Sequence, residues 1–355
     1  MRKIYLDSIK GKEILAKEIV GDYDNVLMAV GTVVRIEYLS RLKELGIQYI
    51  YVEDDIAKGV NNDEMTEVQI KNQCQATVKE TLEKYTYCGN AQLEKLRIVA
   101  EDIIYDVLEQ KEVMFNISGV RQKSERVYSH SISVCALSVL IALKLKLPKN
   151  KVREIAVGSL LHDIGYYYVP YDLKDLKYDD FTIEEINQIK KHVMYGYMVV
   201  ENETWLSSVS KDIILSHHEY ADGSGYPFHL SKSKIKVGSK IVAVCNEFDR
   251  LVYGNLVPAI KVHEAIDYII SQSGIKFDME IVNVFIESVA AYPNGTIVVT
   301  NENEIGIVLK QNHKCPTRPV IHMLRDQYGN EYKEWVEKDL TSMLTLFIQD
   351  TIDTI

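Results

Sequence analysis

The residues best equipped for chemistry in this 355-residue chain are histidines, and the most suggestive of them sit beside carboxylates. His162 is followed by Asp163 and Ile164-Gly165, and His217-His218 by Glu219 and the run Asp222-Gly-Ser-Gly-Tyr-Pro227. His130 and His192 stand alone, so five of the nine histidines fall in one part of the chain. A single inward histidine is ordinary, since a backbone carbonyl readily satisfies an imidazole. Five of them with Asp163 are different. Burying so many imidazoles without partners is costly, whereas a divalent metal takes them as neutral ligands. A carboxylate can bridge two cations through its two oxygens, so the set points to a binuclear centre. Two metals about 4 Å apart can clamp the attacking and leaving oxygens of a phosphoryl displacement. The glycines around Tyr226-Pro227 predict a turn whose backbone can come close to a ligand.

These side chains need helices to hold them. His130, Val134, Leu137 and Ile141 fall at i, i+4, i+7 and i+11, which puts His130 on an inward apolar stripe. Ile189, His192, Gly196 and Val199 share a face in the same way, with Gly196 leaving room for a neighbouring backbone or a cofactor. Residues from about Ser124 to Ala291 read as consecutive helices with short connections. Before them, residues 1–60 alternate strand-like runs (Val26-Leu-Met-Ala-Val30, Ile47 to Val52) with one helix through Leu39, Leu42 and Leu45, stopped by Gly46. Residues 61–120 predict two charged helices, either a connector or a dimerisation stalk. After Ala291 the pattern turns to strands again: Thr296-Ile-Val-Val-Thr300, Gly306-Ile-Val-Leu309 and Val320-Ile-His-Met-Leu324, with turns at Asn301-Glu-Asn-Glu and Gly329-Asn. The expected class is mainly α: a helical domain over 121–291, a small α/β module over 1–60 and a β-rich appendage over 292–355.

Composition narrows the function. A net charge of −10 argues against a nucleic-acid polymer as partner, because such binding draws on clustered Lys and Arg. A local basic group, Lys232, Lys234, Lys236 and Lys240 with Arg250, reads either as a solvated face or as phosphate contacts. No apolar run suits a signal peptide or a membrane span, which predicts a cytoplasmic protein without a membrane partner. Cys74, Cys88, Cys135, Cys245 and Cys315 are odd in number and lack CxxC spacing, as expected of reduced core thiols.

In their order, His162-Asp163-Ile-Gly165, Lys191-His192-Val-Met-Tyr-Gly196, His217-His218-Glu219 and Asp222-Gly-Ser-Gly-Tyr-Pro227 resemble the HD-GYP family, a branch of the HD metal-dependent phosphohydrolases. The resemblance covers roughly Ser124 to Ala291. It implies an all-helical HD-type bundle holding two or three metals, usually iron or manganese, with zinc compatible with the ligand types. It also implies hydrolysis of cyclic di-GMP, or of a related cyclic dinucleotide, by a metal-bridging hydroxide. Carried over by motif position, the ligands would be His130, His162, Asp163, His192, His217 and His218. His162 and Asp163 would stand at the catalytic centre, and Gly225, Tyr226 and Pro227 would shape the substrate pocket; Lys234, Lys236 and Arg250, from the local basic group rather than the family motif, are the candidate phosphate contacts. Glu125 is the candidate for a third metal.

The chain departs from the family pattern at four places. Cys245-Asn246 stands where the family has Ala-Asp, so a charged ligand becomes a neutral amide that attracts a cation less strongly. Asp249, one turn on, is either a partial replacement or a structural aspartate. Tyr166 replaces a lysine expected at a phosphate. Asn255-Leu-Val-Pro258 replaces a stretch with two basic residues. Three readings follow: an active cyclic-dinucleotide phosphodiesterase, a degenerate domain that binds a nucleotide or a signalling protein (as a homodimer or otherwise) without turnover, or an HD phosphohydrolase for another phosphorylated substrate.

Overall fold

The structure is a computed structural model that describes residues 2–6, 9–16, 18–20, 26–44, 47, 49–53, 77–78, 81, 90–109, 126–170, 181–254, 256–312 and 315–352. The chain divides into two compact units. One comprises Met1–Thr66, Met114–Ser124 and Val289–Ile355, the other Glu67–Val113 and Glu125–Ser288.

The second unit is helical. The described helices are α2 (Leu96–Glu109), α3 (Arg126–Lys144), α4 (Lys149–Leu161), α5 (Ile183–Lys190), α6 (His192–Val200), α7 (Ser208–Ser216), α8 (Val237–Tyr253), α9 (Val262–Ser271) and α10 (Met279–Ile286). Their ends are written in the local sequence. Thr182 and Glu185 form a reciprocal capping box at the start of α5, Ser207 caps α7 through the Ser210 amide, and Asp278 caps α10. Gly254 takes a left-handed φ of 73° and ends α8. At the centre lies α3, packed against α2, α4, α8 and α10. Every residue from Tyr128 to Ala142 is buried, so this helix has no solvent face. The periodicity that placed His130 on one apolar stripe therefore understated its burial. A helix buried all round loses the amphipathic signature. None of the helices in the described residues is long and apolar enough to cross a membrane.

The first unit carries the β structure. β1 (Arg2–Tyr5), β5 (Tyr49–Glu53) and β2 (Ile14–Leu15) form an antiparallel sheet in the order β1-β5-β2, and β3 (Ile19–Val20) pairs with β4 (Val26–Met28). The helix α1 (Leu39–Glu44) lies between β4 and β5, where Leu42 and Ile47 join Leu6, Leu15, Ile50 and Val52 in one apolar cluster. Leu45 and Gly46 lie outside the described residues, as do Cys74, Cys88 and Glu125. The C-terminal sheet is antiparallel, with order β10-β6-β7-β8-β9: β6 (Ile297–Thr300), β7 (Ile305–Lys310), β8 (Val320–Arg325), β9 (Glu337–Asp339) and β10 (Ile348–Ile352). The mainly α class with a small C-terminal sheet is the class the sequence predicted. Cys135 and Cys245 are buried as expected; Cys315 is exposed, because it lies in the turn before β8 rather than on a core face.

Candidate metal centre

The predicted histidines meet, though mostly from helix ends rather than helix faces. Only His130 sits inside its helix. His162 ends α4 and Asp163 opens the 3-10 turn Ile164–Tyr168. His192 begins α6 after α5 has ended at Lys190, so the face expected to run from Ile189 to Val199 is broken into two helices. His217 ends α7, with His218 following. A helix end suits a ligand because the last carbonyls lack intrahelical partners and can accept the ring N–H. His162 Nδ1 donates to the Ser159 carbonyl at 2.6 Å, and His192 Nδ1 to that of Ile189 at 3.0 Å. His217 Nδ1 reaches the Ile213 and Ile214 carbonyls at 3.1 and 3.2 Å. His130, in mid-helix, donates instead to the Asp249 carboxylate at 2.5 Å.

These bonds fix the tautomers. With Nδ1 carrying the proton, the neutral form of each ring turns an Nε2 lone pair inward. His130 Nε2 then faces His162 Nε2 at 3.1 Å, and His192 Nε2 faces His217 Nε2 at 3.4 Å. Two lone pairs at such distances repel unless a positive charge lies close to both. Asp163 sits between the pairs. Its Oδ2 is 3.3 Å from His130 and 3.4 Å from His162, and its Oδ1 is 3.5 Å from both His192 and His217. Asp163 Oδ1 and His218 Nε2 are buried without a hydrogen-bond partner. The donors form two groups sharing one carboxylate: His130, His162 and Asp163, and Asp163, His192, His217 and His218. Imidazole nitrogens and a shared carboxylate fit a pair of divalent cations.

Charge states agree with that fit. Burial alone would raise the Asp163 carboxyl, but His162, His130 and His217 around it hold it well below the usual carboxylate range. Burial pushes His192 down to about 3 and also lowers His217 and His218. Those three rings are therefore neutral, the form in which imidazole binds a metal. His130 differs. Burial opposes its charge, yet Asp249 and Asp163 raise it to about 9.

Neighbouring residues set the geometry. A Cβ on Gly165 would fall 1.8 Å from the His192 carbonyl oxygen and 2.6 Å from the Gly196 amide nitrogen, so the 3-10 turn packs backbone to backbone on α6. The room at Gly196 is filled by the Ile214 side chain at 3.0 Å, with Gly165 and Ile164 at 3.3 Å. Gly225 is used likewise: its Cβ would meet the Tyr220 nitrogen at 2.3 Å and the His218 oxygen at 2.4 Å. That glycine serves the packing of the turn onto the His218–Tyr220 backbone. The Tyr226 amide donates to the His218 carbonyl, and the Tyr226 ring stacks on His218 at 4.6 Å. Glu219, also buried, accepts the Phe228 and Leu230 amides and holds the chain just after Pro227.

The departures can now be placed. Tyr166 stacks on His192, centroids 4.0 Å apart and 10° from parallel, so an aromatic ring covers that imidazole where a lysine was expected. Asn246 is buried on α8, one turn before Asp249. Pro258 lies in the loop after Gly254, and Asn255 falls outside the described residues. The expected phosphate contacts are engaged elsewhere: Lys236 pairs with Asp212 at 2.8 Å, Lys232 and Lys240 with Asp278 at 3.4 and 3.1 Å, and Arg250 forks onto the buried Glu247 at 2.8 and 3.1 Å. Lys234 is exposed. Sequence reasoning missed the Asp249–His130 bond, which spans 119 residues, and the Glu247–Arg250 pair, which the i, i+3 spacing could have shown.

Comparison with known proteins agrees with this geometry. Residues 114–281 match the HD domain family, and residues 297–355 match a KOW domain associated with HD domains. A cyclic di-GMP phosphodiesterase of Pseudomonas aeruginosa is 30% identical over 224 residues, 63% of this chain and 54% of that protein. A 3′3′-cGAMP-specific phosphodiesterase of Vibrio cholerae is 27% identical over 212 residues, 59% of this chain and 39% of that one. The chain spans about half the length of the first curated relatives it matches. An HDG"Y"P protein of Bdellovibrio bacteriovorus shares the fold, with a TM-score of 0.50 at 20% identity over 80% of this chain and 97% of its own. With its His-Asp pair, its paired histidines before Gly225-Tyr226-Pro227 and a helical bundle that brings them together, the stretch over residues 114–281 is an HD domain, and its motifs are similar to those of the HD-GYP branch.

Proposed function

We propose that this chain is a metal-dependent phosphodiesterase that opens a cyclic dinucleotide, with cyclic di-GMP the first candidate and a mixed cyclic dinucleotide such as cGAMP the second. One observation carries the reading: two sets of inward imidazole lone pairs share the Asp163 carboxylate, whose Oδ1 has no hydrogen-bond partner. His130 and His162 would hold one divalent cation, His192, His217 and His218 the other, with Asp163 common to both; iron and manganese suit these ligands best and zinc fits them too. When bound, such a pair supplies a water of lowered pKa and neutralises charge on the phosphoryl oxygens. The residues do the rest. Asp163 stays ionised, the carbonyls of Ser159, Ile189 and Ile213 keep each Nε2 turned inward, and Asp249 fixes the His130 ring. The Tyr226 ring packs over His218 and the Tyr166 ring over His192, shielding two ligands from water.

A second reading is kept by a specific observation. The carboxamide of Asn246 and the pairing of Lys236 and Arg250 with carboxylates favour a domain that binds a nucleotide without turnover. One experiment separates the two. Anaerobically purified protein loaded with Fe(II) or Mn(II) is expected to linearise cyclic di-GMP, and His162→Ala to abolish the reaction. Two metals per chain with no turnover of any cyclic dinucleotide leaves only binding, or hydrolysis of another phosphorylated substrate, which a panel of phosphate esters distinguishes.

A further inference from the structure

The five histidine ligands are not equally covered. His218 is 7% exposed, against 0–2% for His130, His162, His192 and His217, so solvent comes nearest the centre on the His218 side. Tyr226 guards that side, stacked on His218 and edge-on to His192. The Lys190 ammonium lies over the Tyr226 ring, 5.5 Å from its centroid. Lys190 is placed there by the same turn that presents His192: α5 ends at Lys190, and the Ile189 carbonyl immediately before it holds His192 Nδ1. Nearby cations differ from it. Lys232, Lys236, Lys240 and Arg250 each pair with a carboxylate, whereas among the described residues no carboxylate joins Lys190. A cation held by an aromatic face keeps most of its N–H donors and its full charge.

We infer that Lys190, mounted on Tyr226, contacts the second phosphate of the substrate, the one not being cleaved. This rests on the phosphodiesterase reading above. A cyclic dinucleotide carries two phosphodiesters on one ring, so while one occupies the metal pair the other projects from the centre. The ammonium stands one ring removed from the ligands, on the side where solvent approaches, and a charge-assisted bond from it to a phosphate oxygen is short and strong. It supplies a cation that Tyr166 does not.

The test compares wild type, Lys190→Ala and Lys190→Arg, each loaded with Mn(II), on cyclic di-GMP and on bis(4-nitrophenyl) phosphate, which has a single phosphate. For cyclic di-GMP, Lys190→Ala is expected to raise KM about tenfold, the equivalent of one charge-assisted contact, with a much smaller change in kcat. The arginine variant should recover most of the loss, and the single-phosphate diester should lose less than the dinucleotide. Metal content equal to wild type shows that the site has folded; if the alanine variant loses metal, Lys190→Met, which keeps the stem over the ring, replaces it. A wild-type KM for cyclic di-GMP in the loaded alanine or methionine variant overturns the role of Lys190 and leaves the phosphodiesterase reading standing. A wild type that hydrolyses bis(4-nitrophenyl) phosphate but opens no cyclic dinucleotide overturns the substrate reading, and the second-phosphate contact with it.

Discussion

Each unit of the chain buries a cluster of polar side chains, and they resolve that burial in opposite ways. In the C-terminal sheet, Glu304 receives the Tyr332 hydroxyl at 2.7 Å and the Lys338 ammonium at 2.5 Å, so both carboxylate oxygens are satisfied from within. His322 on the same sheet donates Nδ1 to the Val336 carbonyl and stacks on Trp335. These are closed arrangements that stabilise a fold. In the helical unit the Nδ1 atoms of His162, His192 and His217 are satisfied in the same way, but the Nε2 atoms converge, and Asp163 Oδ1 and His218 Nε2 have no partner. Burial of histidine and carboxylate therefore says little by itself. What marks a site for a ligand is the direction in which the unsatisfied atoms point.

The contrast predicts three separable responses. The largest is at the shared carboxylate. Asp163→Asn should empty both metal positions together and lower phosphodiesterase activity by roughly a thousandfold or more, since the carboxylate belongs to both donor groups. His218→Ala should remove one metal and leave the other, and plasma mass spectrometry of the two variants counts the difference. Equal metal loss in both would dissolve the claim that Asp163 joins two half-sites. Next comes Lys338→Met in the sheet. Breaking a largely buried pair leaves Glu304 with Tyr332 alone and should cost about 3 kcal/mol, read as a lower urea midpoint, with metal content unchanged. A metal loss in that variant would mean the two clusters are not independent. The smallest effect is at Asp249. Asp249→Asn keeps an acceptor for His130 but removes its charge, and should weaken metal binding about 10- to 100-fold, followed by competition with a chelating dye.

Parts of this were legible in the chain and parts were not, for physical reasons. The His162-Asp163 and His217-His218 pairs are adjacent, and adjacency survives any fold. His130 was found by its helical period, although the helix is buried on every side and the period exaggerated its directionality. Helix ends were harder. The break between Lys190 and His192 goes with the packing of the start of α6 against Gly165, which does not interrupt the apolar pattern. The lysines after Pro227 read as one basic group because Asp212 and Asp278, which pair with them, are distant in sequence. The Asp249–His130 bond was hidden for the same reason. In the sheet, β7 and β8 carried clear strand patterns, while β9, Glu337-Lys-Asp339, has no apolar alternation and is a strand only because β8 lies beside it.

The contact between Gly165 and the start of α6 has a consequence for how such a centre can vary. His162 and Asp163 reach the centre from one side of that contact and His192 from the other, so the gauge between the two halves is a van der Waals distance between peptide groups rather than a side-chain bond. Side chains elsewhere around the centre can be exchanged without altering the gauge; Asn246, for example, lies on a different helix. A single methyl group at residue 165, by contrast, would force the halves apart and change the separation of the two donor groups while leaving every donor atom in the sequence intact.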